Sequence, residues 1–319
     1  MLGPAIVIFP AMALIVWLVA ALAVAPRRRR LARANEERYP GLAAQARRVQ
    51  LVRAVSLLVA ILVAAFVAGT GQNGQGMAIA PATFGLVLVV GVLAAELIGQ
   101  SAARTPGVAG LESRRLTDYL PRGLTWSVFI CVAATLAYLT WTTLVAAPDD
   151  RGNPGRAFYY GYDEPNVSGG FSPFPGSFYS GPMIAGLLLL IAMTATALLV
   201  VKNRPRNGSD PVLVASDDVL RLRAIESAVA GLGVGVGGTL AGAAGVVAAA
   251  MVPDVLSPTP VIDDLVMVPN YGAAPWFSLA LFVFGGVLAL WCVAVLLMPG
   301  AAREPRVAAE AGVGEERQR

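Results

Sequence analysis

Seven stretches of the chain are each apolar over about 20 residues, the length a helix needs to cross roughly 30 Å of hydrocarbon. They are Pro4–Ala25, Leu51–Gly69, Ala78–Gly99, Leu124–Ala147, Gly181–Val201, Ile225–Met251 and Ala274–Met298. Arg53 stands just inside the second, and Glu96 is the one deep acid. Charged residues make up 14% of the 319 positions and hydrophobic ones 56%. A soluble domain carries about 25% charge, so this chain cannot solvate a globular surface. Soluble, disordered and disulfide-scaffold classes are excluded, and an all-α, multi-pass membrane protein is expected.

The loops assign the sides. Of 24 basic residues, 22 fall in alternate connections: Arg27, Arg28, Arg29, Arg30, Arg33, Arg38, Arg47, Arg48 and Arg53; Arg104, Arg114, Arg115 and Arg122; Lys202, Arg204, Arg206, Arg221 and Arg223; and the tail. Arg151 and Arg156 alone lie on the other side. Basic loops stay in the cytoplasm. The N-terminus is therefore expected outside and the C-terminus inside, in a bacterial plasma membrane. The split also supports the count, since deleting or adding a span scrambles the alternation. Trp126, Trp141 and Trp276 stand near span ends, where aromatic belts form. The first stretch has its arginines after it, the reverse of a cleaved signal, and is expected to be an uncleaved anchor. The segment 299–319 is small, charged and expected to be disordered.

Several chemistries are closed by composition. There is no histidine, so His-ligated zinc and Ser-His-Asp or Cys-His devices are absent. Cys131 and Cys292 lie in apolar runs outside any CxxC, as buried thiols. No cofactor and no enzyme activity are expected. A net charge of +4 carries no expectation of nucleic acid here, because the charge is sorted by membrane side.

The remaining features each have a plain and a sharp reading. Arg27–Arg30 is a topology determinant, or a docking site for anionic lipids or a partner. The loop 148–180 interleaves Gly and Pro with Phe158, Tyr159, Tyr160, Tyr162, Phe171, Phe174, Phe178 and Tyr179, which fits a segment folded back over the bundle mouth. With Asp149, Asp150, Asp163, Glu164, Asp254, Asp263 and Asp264 it is an ordered lid, or an acidic aromatic cap for sugars, cations or a partner. Gly233, Gly235 and Gly238 spell GxGxxG inside an apolar span rather than after a strand, which refutes dinucleotide binding. The pairs Gly231/Gly235, Gly233/Gly237 and Gly238/Gly242 make a small-residue face for a close helix neighbour, or mark a mobile helix. Glu96 and Glu226 are interfacial or ion-paired, Glu96 with Arg104 or Arg53, or else form a proton or cation site. Ser216-Asp217-Asp218 looks like a capped helix start. Thr135, Thr140, Thr142, Thr143, Thr194 and Thr196 bond to their own helices, or line a polar path.

Residues 47–69 overlay on 217–239 without a gap, matching Val49/Val219, Arg53/Arg223, Ala54/Ala224, Val59/Val229, Ala60/Ala230 and Leu62/Leu232. Together with Gly3-Pro4 and Gly181-Pro182 this suggests a parallel repeat of three helices, one linker and three helices, an arrangement transporters use. Chance among Ala, Val and Leu supplies the competing explanation. Finally, Ala95-Glu96-Leu97, Arg104-Thr105-Pro106 and Arg114-Arg115-Leu116-Thr117-Asp118-Tyr119-Leu120-Pro121 resemble a segment of uncharacterised actinobacterial multi-pass membrane proteins. The resemblance implies lineage and a cytoplasmic-loop landmark, and no activity. Function is left among a partner-binding or transport-complex subunit (or homo-oligomer), a transporter of a small or lipid-like molecule, and, least supported, a membrane-embedded enzyme.

Overall fold

The computed structural model describes residues 40–102, 120–162, 168–203, 211–256, 260–262, 265–266 and 269–297. Six helices among them are long and apolar enough to cross a membrane. They are α1 Pro40–Ala68, α2 Gln75–Ala102, α3 Arg122–Val145, α4 Ser177–Asn203, α5 Pro211–Leu256 and α6 Ala274–Leu297. They contain six of the expected seven stretches to within a few residues. The seventh, Pro4–Ala25, lies outside the described residues, as do Arg27–Arg30, Arg104, Asp163, Glu164, Asp263, Asp264 and the tail.

The helix ends follow local chemistry. Pro40 and Pro211 open α1 and α5, where a preset φ suits the first turn and the missing N–H is not needed. Between Pro211 and Gly231 there is neither Gly nor Pro to stop the helix. It therefore runs 46 residues, and Ser216-Asp217-Asp218 lies inside α5 rather than capping its start. The α1–α2 turn needs left-handed backbone at Gly71, Asn73 and Gly74, which glycine and asparagine tolerate.

The all-α expectation needs one further correction. The loops at the end where α2, α4 and α6 begin hold two short antiparallel hairpins. One pairs β1 Phe158–Gly161 with β2 Ser168–Phe171, and the other pairs β3 Pro260–Ile262 with β4 Leu265–Val266. Aromatics at alternate positions put Phe158 and Tyr160 on the half-buried face of β1 and leave Tyr159 outward.

The core is organised around α5, which packs against α2, α3, α4 and α6. Its glycines let each neighbour approach. A Cβ on Gly85 of α2 would lie 2.8 Å from Gly231 O and 2.9 Å from Gly235 Cα. On the opposite side, a Cβ on Gly237 would stand 2.7 Å from Gly285 O of α6. Gly233 faces Val128 of α3 and Cys292 of α6, and Gly235 also meets Leu190 of α4. The glycines thus serve several neighbouring helices rather than one face. Val236, Leu240, Ala244 and Val247 fill the spaces between them and are fully buried.

The helix α1 is held differently. It rests chiefly on α2, with Ser56 occupying the space a side chain on Gly91 would take. Leu58, Leu62 and Phe66 are exposed along it. In a chain with six such helices, outward apolar side chains are lipid-facing surface.

Candidate functional site

Four charged side chains from three helices come within electrostatic reach of one another where the middle of α1, the end of α2 and the early part of α5 lie together. Arg223 and Glu226 are three apart on α5 and share a face. Arg53 of α1 lies within electrostatic reach of Glu96 of α2, and of both Arg223 and Glu226. Glu226 in turn feels Arg223 and Arg53. Glu96 is 3% exposed and Glu226 8%. The Nε atoms of Arg53 and Arg223 are buried with no hydrogen-bond partner among the described residues. Two guanidiniums and two carboxylates sum to no formal charge, and charges tolerate such burial only when they compensate one another. Of the two partners considered for Glu96, Arg53 is at hand, and Arg104 lies outside the described residues. Arg223 is the member that sequence reasoning passed over, although the overlay of residues 47–69 on 217–239 had placed it opposite Arg53.

The threonines form no polar path among the described residues. Thr135, Thr140, Thr143, Thr194 and Thr196 each donate to the carbonyl four residues back, and Thr142 to the one three back. Two hydroxyl links cross between helices and knit them. Tyr138 pairs with Ser278 at 3.0 Å, joining α3 to α6, and Thr143 pairs with Ser180, joining α3 to α4.

At the other end the long loop is folded and anchored. Phe158, Phe171 and Phe174 pack with ring centroids 5.2–5.8 Å apart, Phe158 stacked on Phe174 and Phe171 edge-on to it, and Phe174 is fully buried. The hairpin joins the second loop through the Tyr162–Pro269 bridge, the Asn270 N–H donated to Gly161 O, and the Tyr160–Tyr271 ring contact at 4.5 Å. The Tyr271 hydroxyl donates to Asp254 at 2.9 Å. Its pKa is pushed up by burial first, then by Tyr160 and Asp254.

Asp149 organises the turn after α3. It accepts from the Asn153 side chain, from the Asn153 and Arg151 N–H groups, and from Arg156 Nη1 at 2.8 Å. The Asn153 side chain leads these bonds in holding its carboxyl near pKa 2, against the opposing effect of desolvation. Arg156 Nε donates to the Tyr179 hydroxyl, which donates to Asn73 O at 2.6 Å. The lid is thereby tied to the α1–α2 turn. The run Asp149-Asp150-Arg151-Gly152-Asn153-Pro154-Gly155 carries turn chemistry, the signal that was available for this network. Two acids of the expected acidic cap, Asp149 and Asp254, are therefore committed to internal bonds.

Below this network lies an apolar cavity of about 260 Å³. Met77, Ala78 and Pro81 of α2, Met183 of α4, and Gly242, Ala243 and Val246 of α5 line it, with Pro173, Phe174 and Pro175 over it. Nothing in the sequence marks it, because it arises from where three helices and a loop diverge. Among the described residues no three His, Cys, Asp or Glu side chains are grouped to hold a metal. No protein-family model, no curated protein and no solved structure matches the chain.

Proposed function

We propose that this chain is a seven-span bacterial plasma-membrane protein, outside at its N-terminus and cytoplasmic at its C-terminus. In this reading it acts without catalysis, as a partner-binding or transport-complex subunit. The observation that supports the reading most is the filled centre. α5 is interlocked with four neighbours through glycine contacts, and Thr135, Thr140, Thr142, Thr143, Thr194 and Thr196 return their hydroxyls to backbone. A transport route needs the opposite, polar groups aimed into mid-membrane space. The test is purification from native membranes in mild detergent after cross-linking. A stoichiometric membrane partner, or a homo-oligomer, is the expected result. Recovery of the chain alone as a monomer overturns the reading.

A second reading, a permease for a small or lipid-like molecule, draws on the apolar cavity beneath the lid and on the expected repeat that overlays residues 47–69 on 217–239. The buried Glu96 is its natural coupling residue. Proton-coupled uptake that survives Glu96→Gln unchanged removes that coupling role.

A further inference from the structure

We propose that the cavity under Pro173–Pro175 is a binding site for one phospholipid acyl chain, entered from the side through the gap between Met77 and Val246. Both flanking side chains are apolar and exposed, Met77 at 61% and Val246 at 41%. Both belong to helices long and apolar enough to span a membrane. A mouth between them opens along the apolar sides of two such helices. The two side-chain hydroxyls at the walls, Tyr179 and Thr239, are already committed. Asn73 O accepts from Tyr179, and the Thr239 hydroxyl donates to Gly235 O. A sugar, ion or water cluster entering here would lose its solvation and recover few hydrogen bonds from so apolar a lining. An alkyl chain loses nothing. The volume of about 260 Å³ exceeds the roughly 150 Å³ of an apolar cavity that holds benzene, and so accommodates several methylenes. The roof is built to stay in place. Phe174 is fully buried and Tyr179 is fastened through Arg156 to Asp149.

The tail differs from lipid that merely coats the bundle because it runs end-on beneath the roof. The wall position Gly242 makes this testable, since a Cβ built there meets nothing within 4 Å. Gly242→Phe fills the cavity and replaces a poor helix former. Val246→Trp closes the mouth by a second route. Gly286 of α6, which has equally open space and does not line the cavity, supplies the control Gly286→Phe.

The full-length protein is reconstituted in phosphatidylcholine–phosphatidylglycerol vesicles doped with a phospholipid carrying a diazirine near the methyl end of one chain. Photolabelling is mapped by mass spectrometry, and thermal unfolding confirms that each variant is folded. Labelling is expected to saturate and to concentrate on the peptides of Met77, Met183 and Val246. Displacing a few methylenes is enough to lower it about tenfold or more. Gly242→Phe and Val246→Trp should do so, and Gly286→Phe should not. Labelling spread evenly over outward positions such as Phe129 and Leu188, or unchanged in both filling variants, overturns the proposal. So does labelling by a diazirine fatty acid that the phospholipid fails to compete away. Loss of partner capture with acyl labelling intact would strike the subunit reading alone.

Discussion

Glu96 and Glu226 sit at a helix junction only because Arg53 and Arg223 are there to meet them. Removing one charge leaves an opposite charge buried without compensation, which costs about 3–5 kcal/mol in a dry interior. Glu96→Gln is expected to lower stability by about 3 kcal/mol, somewhat less where lipid headgroups or water reach Arg53. Thermal unfolding in a fixed detergent measures it. Pairing Glu96→Gln with Arg53→Gln should recover part of the loss, because the double variant removes both charges. The glycines give a second prediction at this scale. Gly237→Val places a Cβ 2.7 Å from Gly285 O and 3.1 Å from Ala289 N, which are backbone atoms that cannot swing away. It should destabilise by about 1–3 kcal/mol or more through overpacking. Gly242→Ala, in open space, should be neutral or stabilising by up to about 1 kcal/mol from helix propensity.

At the scale of elements, the lid hangs on the Asp149 turn, and that turn is sensitive to acid. The carboxyl of Asp149 titrates near 2 when folded, against an ordinary value of 3.8. Its contribution is whole above the ordinary value and is lost as the pH falls from there toward 2. Amide exchange over residues 147–157, corrected for intrinsic rates, should rise over that interval and spare the α5 core. Asp149→Asn should exchange faster already at neutral pH and show no further acid step. The elements also show what a linear chain reveals. Helix positions were legible because hydrocarbon thickness sets a minimum apolar length, so α3 and α6 appear within about two residues of their expected bounds. The extension of α5 to Pro211 was not, because polar residues beyond the apolar stretch continue a helix as readily as they end it. The Ser216-Asp217-Asp218 cap was misassigned for the same reason. The hairpins were hidden by loop composition, and only the alternation of Phe158 and Tyr160 carried a strand period. The charge junction was half legible. Glu96, Glu226 and Arg53 drew attention as charges in apolar sequence, but their meeting depends on how α1, α2 and α5 pack, which no local pattern encodes.

At the scale of the molecule, the expectation that the arginine split supports a count of seven needs correction: the sorting constrains the spans that lie between basic and non-basic loops and does not bear on residues 4–25. Residues 1–3 carry no basic residue, so the same 22-to-2 division results whether or not residues 4–25 cross. Their apolar length of about 20 residues is what a crossing needs, and a crossing would place the N-terminus opposite the C-terminus. Cysteine accessibility in intact cells separates the two arrangements, because the native Cys131 and Cys292 are both buried. Ser168→Cys, exposed on the lid hairpin, should react with an impermeant maleimide from outside. Ala34→Cys and Ala302→Cys should react only after permeabilisation. Gly3→Cys decides the count: labelling from outside establishes seven spans. Labelling only after permeabilisation leaves six, with both ends cytoplasmic, and removes the expected three-one-three repeat, since its first unit would then lack a crossing.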